Sequence, residues 1–121
     1  MMSEDQAGVI RISDDVVARI AATAAAETPG VAALSGGLSE GIAKRISGKN
    51  AQKGVAVEVG TAEAAIDLRL IVLYGGKIHE ICQAVQRNVK ESIEMMTGLK
   101  TVEVNIKVEG VAFKEDGAAE T

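Results

Sequence analysis

A chain of 121 residues with a formal charge of −4 and a pI near 5.0 fits one domain, large enough, at roughly two-thirds burial of its unfolded surface, to build a core without disulfide or metal staples. Aromatic residues make up only 2% of the chain against an apolar fraction of 47%, so the core must come from Val, Ile, Leu, Met and Ala, and a base-stacking site has only Tyr74 and Phe113 to draw on. The acidic balance excludes a whole-domain electrostatic grip on nucleic acid or anionic lipid, and one Cys and one His supply neither an intrachain disulfide nor the usual zinc ligand set.

The N-terminus, MMSEDQAG, is polar and acidic where a secretory signal would carry a basic end and an apolar stretch. No apolar run approaches the ~20 residues of a membrane span. A soluble protein of a reducing compartment is expected, with any membrane association supplied by a partner. Residues 1–7 read as a flexible start, 8–113 as a single domain and 114–121 as a flexible acidic tail.

Gly8-Val-Ile-Arg-Ile12 is predicted as a short strand. Ser13 follows as an N-cap, with Asp14 and Asp15 at the positive end of a helix that runs to about Glu27 and presents Val16, Val17, Ile20, Ala21 and Ala24 as its buried stripe. Pro29-Gly30 ends it. Val31–Leu34 and the turn-forming Ser35-Gly36-Gly37 lead into a segment where Leu38, Ile42 and Ile46 share a face, consistent with a short helix over 39–46. Val55, Val57 and Val59 alternate with Ala56 and Glu58. After Gly60-Thr61-Ala62-Glu63 the alternation resumes with Ile66, Leu68, Leu70 and Val72 against Asp67 and Arg69, so the two runs form a hairpin. Gly75-Gly76 precedes the longest helix, about 77–96, with Ile78, Ile81, Cys82, Val85, Val89, Ile93 and Met96 on one stripe, and Gly98 ends it. A last strand sets Val102, Val104, Ile106 and Val108 against Glu103, Asn105, Lys107 and Glu109. The implied architecture is an α+β two-layer sandwich, with two or three helices on one face of a mostly antiparallel sheet, in a split βαβ-like arrangement.

The chemistry-bearing residues do not assemble into a catalytic set. His79 lies in the first turn of the long helix with no nucleophile tied to it, and Cys82, one turn on, falls within the apolar stripe as a small buried hydrophobe. Glu58, Asp67 and Glu103 share the solvent face of the sheet with Arg69 and Lys107, where cross-strand ion pairing explains them at about 0–1 kcal/mol each. Between Gly41 and Val57 there is no acidic residue, and Lys44, Arg45, Lys49 and Lys53 form a locally basic patch suited to an anion or an acidic partner. No P-loop or GxGxxG pattern accompanies it. Ile71 and Leu73 continue the outward register of Asp67 and Arg69, which places two large aliphatics on the polar face as a seed for association.

Several segments in order carry a resemblance. They are Ile12-Ser-Asp-Asp-Val-Val17, Glu27-Thr-Pro-Gly-Val31, Leu34-Ser-Gly-Gly37, Lys53-Gly-Val-Ala-Val-Glu-Val-Gly60, Ile66-Asp-Leu68, Tyr74-Gly75, Val85-Gln-Arg-Asn-Val-Lys90, Met96-Thr-Gly-Leu99, Val102-Glu-Val-Asn-Ile106 and Gly110-Val-Ala-Phe113. Over about residues 8–113 the chain resembles the alkaline shock, or YloU-type envelope stress response, family of bacteria. The resemblance implies a cytoplasmic, envelope-linked protein with no established catalysis, which in some relatives is held near the membrane by a separate integral membrane partner. The expectation is a non-enzymatic interaction protein without a cofactor that binds itself and a small integral membrane partner. It carries over no catalytic residue. The competing reading is a nucleic-acid-binding module that uses Lys44, Arg45, Lys49 and Lys53.

Overall fold

The computed structural model of the chain describes residues 7–35 and 54–113. Its elements in order are α1 (Asp14–Ala26), β1 (Val31–Leu34), β2 (Val55–Val59), β3 (Glu63–Leu73), α2 (Ile78–Thr97) and β4 (Lys100–Ala112). Ser13 caps α1 as its position suggests: it is extended, and its hydroxyl accepts the Val16 N–H while Asp14 and Asp15 occupy the first turn. Gly98 ends α2 in the left-handed conformation at φ 78°.

Strand β3 is the centre of the sheet. Parallel β4 pairs with it from Glu63↔Lys100 to Leu73↔Ala112 and fills one edge for its whole length. Antiparallel β1 and β2 must therefore share the other edge. Leu34 pairs with Leu70 and Val55 with Leu68. Between them Arg69 donates its N–H to the Gly54 carbonyl at 2.9 Å and accepts from the Ser35 N–H at 2.8 Å. The two short strands thus lie end to end as one interrupted edge strand, and the chain departs at Ser35 and returns at Gly54.

Both helices cover the same face, α1 over β1 and β2 and α2 over β4, and they pack on each other. Even-numbered residues of β3 point into this layer, with Ala64, Ile66, Leu68, Leu70 and Val72 all buried. They meet Val17, Ala18, Ala21 and Ala25 of α1 and Ile81, Val85, Val89 and Ile93 of α2, a strict i, i+4 stripe. Thr28 is the buried polar joint between the helices: its hydroxyl donates to Ala24 O at 2.9 Å and accepts from Asn88 Nδ2 at 3.0 Å, so its burial leaves no unpaired group.

The α+β class, the single helical layer and the hairpin are as the sequence implies. Two of the three strand pairings are antiparallel and the longest, β3 with β4, is parallel. Several details differ. Residues 8–13 form no strand, and Val9 and Ile10 are exposed; β3 has no vacant edge to offer them, because Val31–Leu34 takes that place. In α1 the buried stripe is rotated, with Val16 45% exposed and Ala18 and Ala25 fully buried; small side chains face both sheet and partner helix, where close approach is needed. Ile78 and Met96 emerge at the two ends of α2, and Cys82 is half-buried. In β4 a register shift between Ala64 and Ala65 of β3 gives the inward position to Thr101 and leaves Val102 49% exposed. The expected helix over 39–46 and the basic residues Lys44, Arg45, Lys49 and Lys53 lie outside the described residues.

Candidate interaction surface

The second face of the sheet carries no layer among the described residues. Its polar half carries two separate sets of contacts. Asn105 Nδ2 donates to Asp67 Oδ1 at 2.9 Å, and Ser35 Oγ, at the break in the edge strand, donates to Glu109 Oε1 at 2.5 Å. Lys107 stands 3.9 Å from Glu109. Asp67 and Asn105 are register partners, so parallel pairing sets their side chains side by side. These are exposed contacts worth little individually. Glu58, Asp67 and Glu103, considered as an acid and base set, are all exposed and lie on three different strands.

Toward the C-terminal end of β3 the same face turns apolar. Ile71 and Leu73 point outward with Asp67 and Arg69, and both are half-buried. Gly110 lies beside Ile71 in register, where a Cβ would stand 3.5 Å from Ile71 Cγ1, so the neighbouring strand leaves the isoleucine uncovered from that side. Just beyond, Tyr74 and Phe113 stack at 4.7 Å between centroids and 22° between planes, and are 68% and 48% exposed. The sequence treats them as two separate candidates for base stacking. They follow the ends of two strands paired in parallel, and that pairing is the signal that brings them together.

The other candidates stay apart. His79 is exposed in the first turn of α2, while Cys82 is half-buried one turn later and burial pushes its thiol pKa up, which favours the unreactive protonated form. No cluster of three or more His, Cys, Asp or Glu side chains suited to a metal exists among the described residues. Two shallow depressions lie between the helices, one lined by Ala24, Glu27, Asn88, Glu91 and Ser92 and the other by Arg19, Ile20, Thr23, Ala24, Glu27, Ser92 and Met96. Neither contains His79. No helix among the described residues is long and apolar enough to cross a membrane.

Residues 2–113 match the alkaline shock protein 23 family, described as having a cell envelope-related function. The chain belongs to that family. It is 33% identical over 106 residues to YqhY of Bacillus subtilis, covering 88% of this chain and 78% of the relative, and 34% identical over 106 residues to YloU of the same organism, covering 86% and 88%. A stress response regulator gls24 homolog of Streptococcus pyogenes is 30% identical over 114 residues, 93% of this chain and 64% of that protein. Among solved structures, a variant of the MamM CTD superposes with a TM-score of 0.55 at 19% identity over 79% of this chain and 95% of that one. The copper form of the MamM CTD gives 0.53 at 17% identity over 79% and 84%. At such identities the likeness is one of fold. Family membership thus gives an envelope-related setting, and the alkaline-shock resemblance read from the sequence is correct.

At the opposite end of the sheet, α2 is clipped to the start of β4. Glu94 Oε2 accepts from Lys90 Nζ at 2.9 Å and from the Thr101 N–H at 2.9 Å. The Lys90 hydrogen bond and then the Thr101 amide hold its carboxyl below the usual range near 4.5. A depressed pKa means that this contribution is fully present above the unfolded-state value and is lost as pH falls through the folded-state value. Between about pH 5 and pH 3 the wild type should therefore lose thermal stability more steeply than Glu94→Gln, which cannot titrate. Equal slopes in thermal denaturation across that window would show that the clip does not matter.

Proposed function

We propose that the protein is a non-enzymatic, cytoplasmic envelope-stress protein that works by associating with itself and with a membrane-anchored partner, and that Ile71 and Leu73 form the partner's docking pair. The observation that carries this reading is the second face of the sheet, which carries no layer among the described residues: its polar groups Asp67, Asn105, Ser35 and Glu109 are hydrogen-bonded in pairs, and it ends in two outward aliphatics, Ile71 and Leu73, on the central strand. Polar groups already paired with one another make poor anchors, since a partner must break those bonds to replace them. Aliphatic side chains on a rigid central strand gain from being covered, at roughly 25 cal/mol per Å² of apolar surface removed from water. Family membership supports the envelope setting.

The nucleic-acid reading has less to stand on. The two aromatics it would need for stacking are stacked on each other.

The test is the double variant Ile71→Glu, Leu73→Glu in capture experiments from detergent-solubilised host membranes. The variant is expected to fold, because both side chains point away from the core, and to lose an integral membrane protein that the wild type retains. A folded variant that captures the same protein as well as the wild type would refute the docking assignment. Unfolding would also refute it, by showing that the pair is needed within the monomer.

A further inference from the structure

We propose that two copies of this chain join along the free edge of β4, antiparallel, about a two-fold axis at Asn105. The proposal rests on the self-association above and names its surface. Among the described residues β4 has one strand neighbour, β3, so its other edge is a template for a further strand. Side chains of α2 meet that edge at its start only: Glu94 accepts the Thr101 N–H, Lys90 Nζ reaches the Thr101 carbonyl at 3.4 Å, and Gln86 Nε2 donates to the Val104 carbonyl at 3.0 Å. Those bonds also fix the direction of the backbone. The peptide groups of Val104 face away from β3, and alternation turns those of Ile106 and Val108 the same way. Gln86 occupies one lone pair of the Val104 carbonyl, and a carbonyl has two.

The segment Glu103-Val-Asn-Ile-Lys107 is self-complementary when set against itself in reverse. With Asn105 opposite Asn105 of the second copy, Val104 faces Ile106 and Glu103 faces Lys107, each pair occurring twice. Val104 and Ile106 are the residues whose peptides face the edge, so they form the hydrogen-bonded pairs. Their side chains point toward the helices and extend the core from one copy to the next. Glu103 and Lys107 are both exposed on the other face. The existing Lys107 contact, 3.9 Å from Glu109 with the lysine side chain 76% exposed, is weak enough to yield. Neighbouring registers are worse: centring on Ile106 sets Glu103 against Glu109, centring on Lys107 sets that lysine against itself, and centring on Val104 leaves both charges without an opposite. Unlike charges directly across an antiparallel pair stabilise it and like charges oppose it, so the charge pattern selects Asn105.

Sedimentation equilibrium on the full chain tests this through charge reversal. The wild type should dimerise. Glu103→Lys alone and Lys107→Glu alone each place like charges opposite one another twice per dimer and should weaken association by about tenfold or more. An equimolar mixture of the two single variants should associate again, because each then presents the charge that the other needs. A wild type that stays monomeric at about 100 μM would overturn both this interface and the self-association on which it rests. A wild-type dimer whose single variants associate as tightly, and gain nothing on mixing, would reject the β4 edge while leaving self-association intact.

Discussion

Replacing Gly54 by Ala is expected to cost about 3 kcal/mol or more. Gly54 stands where the interrupted edge strand resumes, with φ +66°, a conformation that a residue with a Cβ adopts at a cost of about 1–2 kcal/mol. A Cβ there would also overlap the Ser35 carbonyl oxygen and lie 3.0 Å from Arg69 O and 3.1 Å from Ser35 N. All three are backbone atoms, of Ser35 and Arg69, and both residues are held by the hydrogen bonds that Arg69 makes to the two halves of the edge strand. No side-chain rotation can relieve the overlap, so β1 and β2 must separate at their junction. Gly98→Ala is the matched control: φ is +78° and no heavy atom lies within 4 Å of the added methyl, leaving only the conformational cost. Urea denaturation should show Gly54→Ala less stable than Gly98→Ala by at least about 1 kcal/mol. Equal losses would mean that the junction between β1 and β2 is looser than the contacts around Gly54 imply.

Truncation of Ile93 to Ala should cost about 2–5 kcal/mol. Ile93 is fully buried in the last turns of α2, on the same stripe as Val85 and Val89. With so few aromatics, the core is filled by branched aliphatics and alanines, and α1 offers only Val17 and three alanines at its fully buried positions. Such a neighbourhood has little side-chain length with which to close a cavity, which places the loss in the upper part of that range. Met95→Ala, two positions along the same helix at a side chain 83% exposed, should change stability by no more than about 0.5 kcal/mol. A loss below about 1 kcal/mol for Ile93→Ala would indicate that α2 packs more loosely than its burial suggests.

Periodicity made most of this fold legible. The β2–β3 hairpin follows from the Val55, Val57, Val59 alternation, and α2 from the spacing of Ile81, Val85, Val89 and Ile93, because each pattern lies in a single element and faces a single layer. The errors fall where two elements compete for one place. Gly8–Ile12 has the alternation of a strand, yet β4 and the paired β1 and β2 already occupy both edges of β3, and no local pattern reveals a filled edge. Val16, which the spacing places in the core, is exposed and Ala18 is buried, because α1 contacts the sheet and α2 at once, which favours small residues over the more apolar one. The outward register of Ile71 and Leu73 was readable from parity, since no irregularity separates Asp67 from Leu73 along β3 itself. Val102 was not, because the irregularity opposite Ala64 and Ala65 shifts the parity of β4. The stack of Tyr74 on Phe113 needed the parallel register of β3 and β4, a long-range fact that neither residue's neighbours contain.

Flotation separates docking on a membrane-anchored protein through the outward pair on β3, as proposed above, from direct binding to lipid. Purified wild-type chain is mixed with native host membrane vesicles, and in parallel with protein-free vesicles made from the extracted lipids of the same membranes. With docking through that pair, the wild type floats with the native vesicles and not with the lipid-only ones, and the Ile71→Glu, Leu73→Glu variant floats with neither. Equal flotation of the wild type with protein-free lipid, or undiminished flotation of the variant with native vesicles, would contradict it.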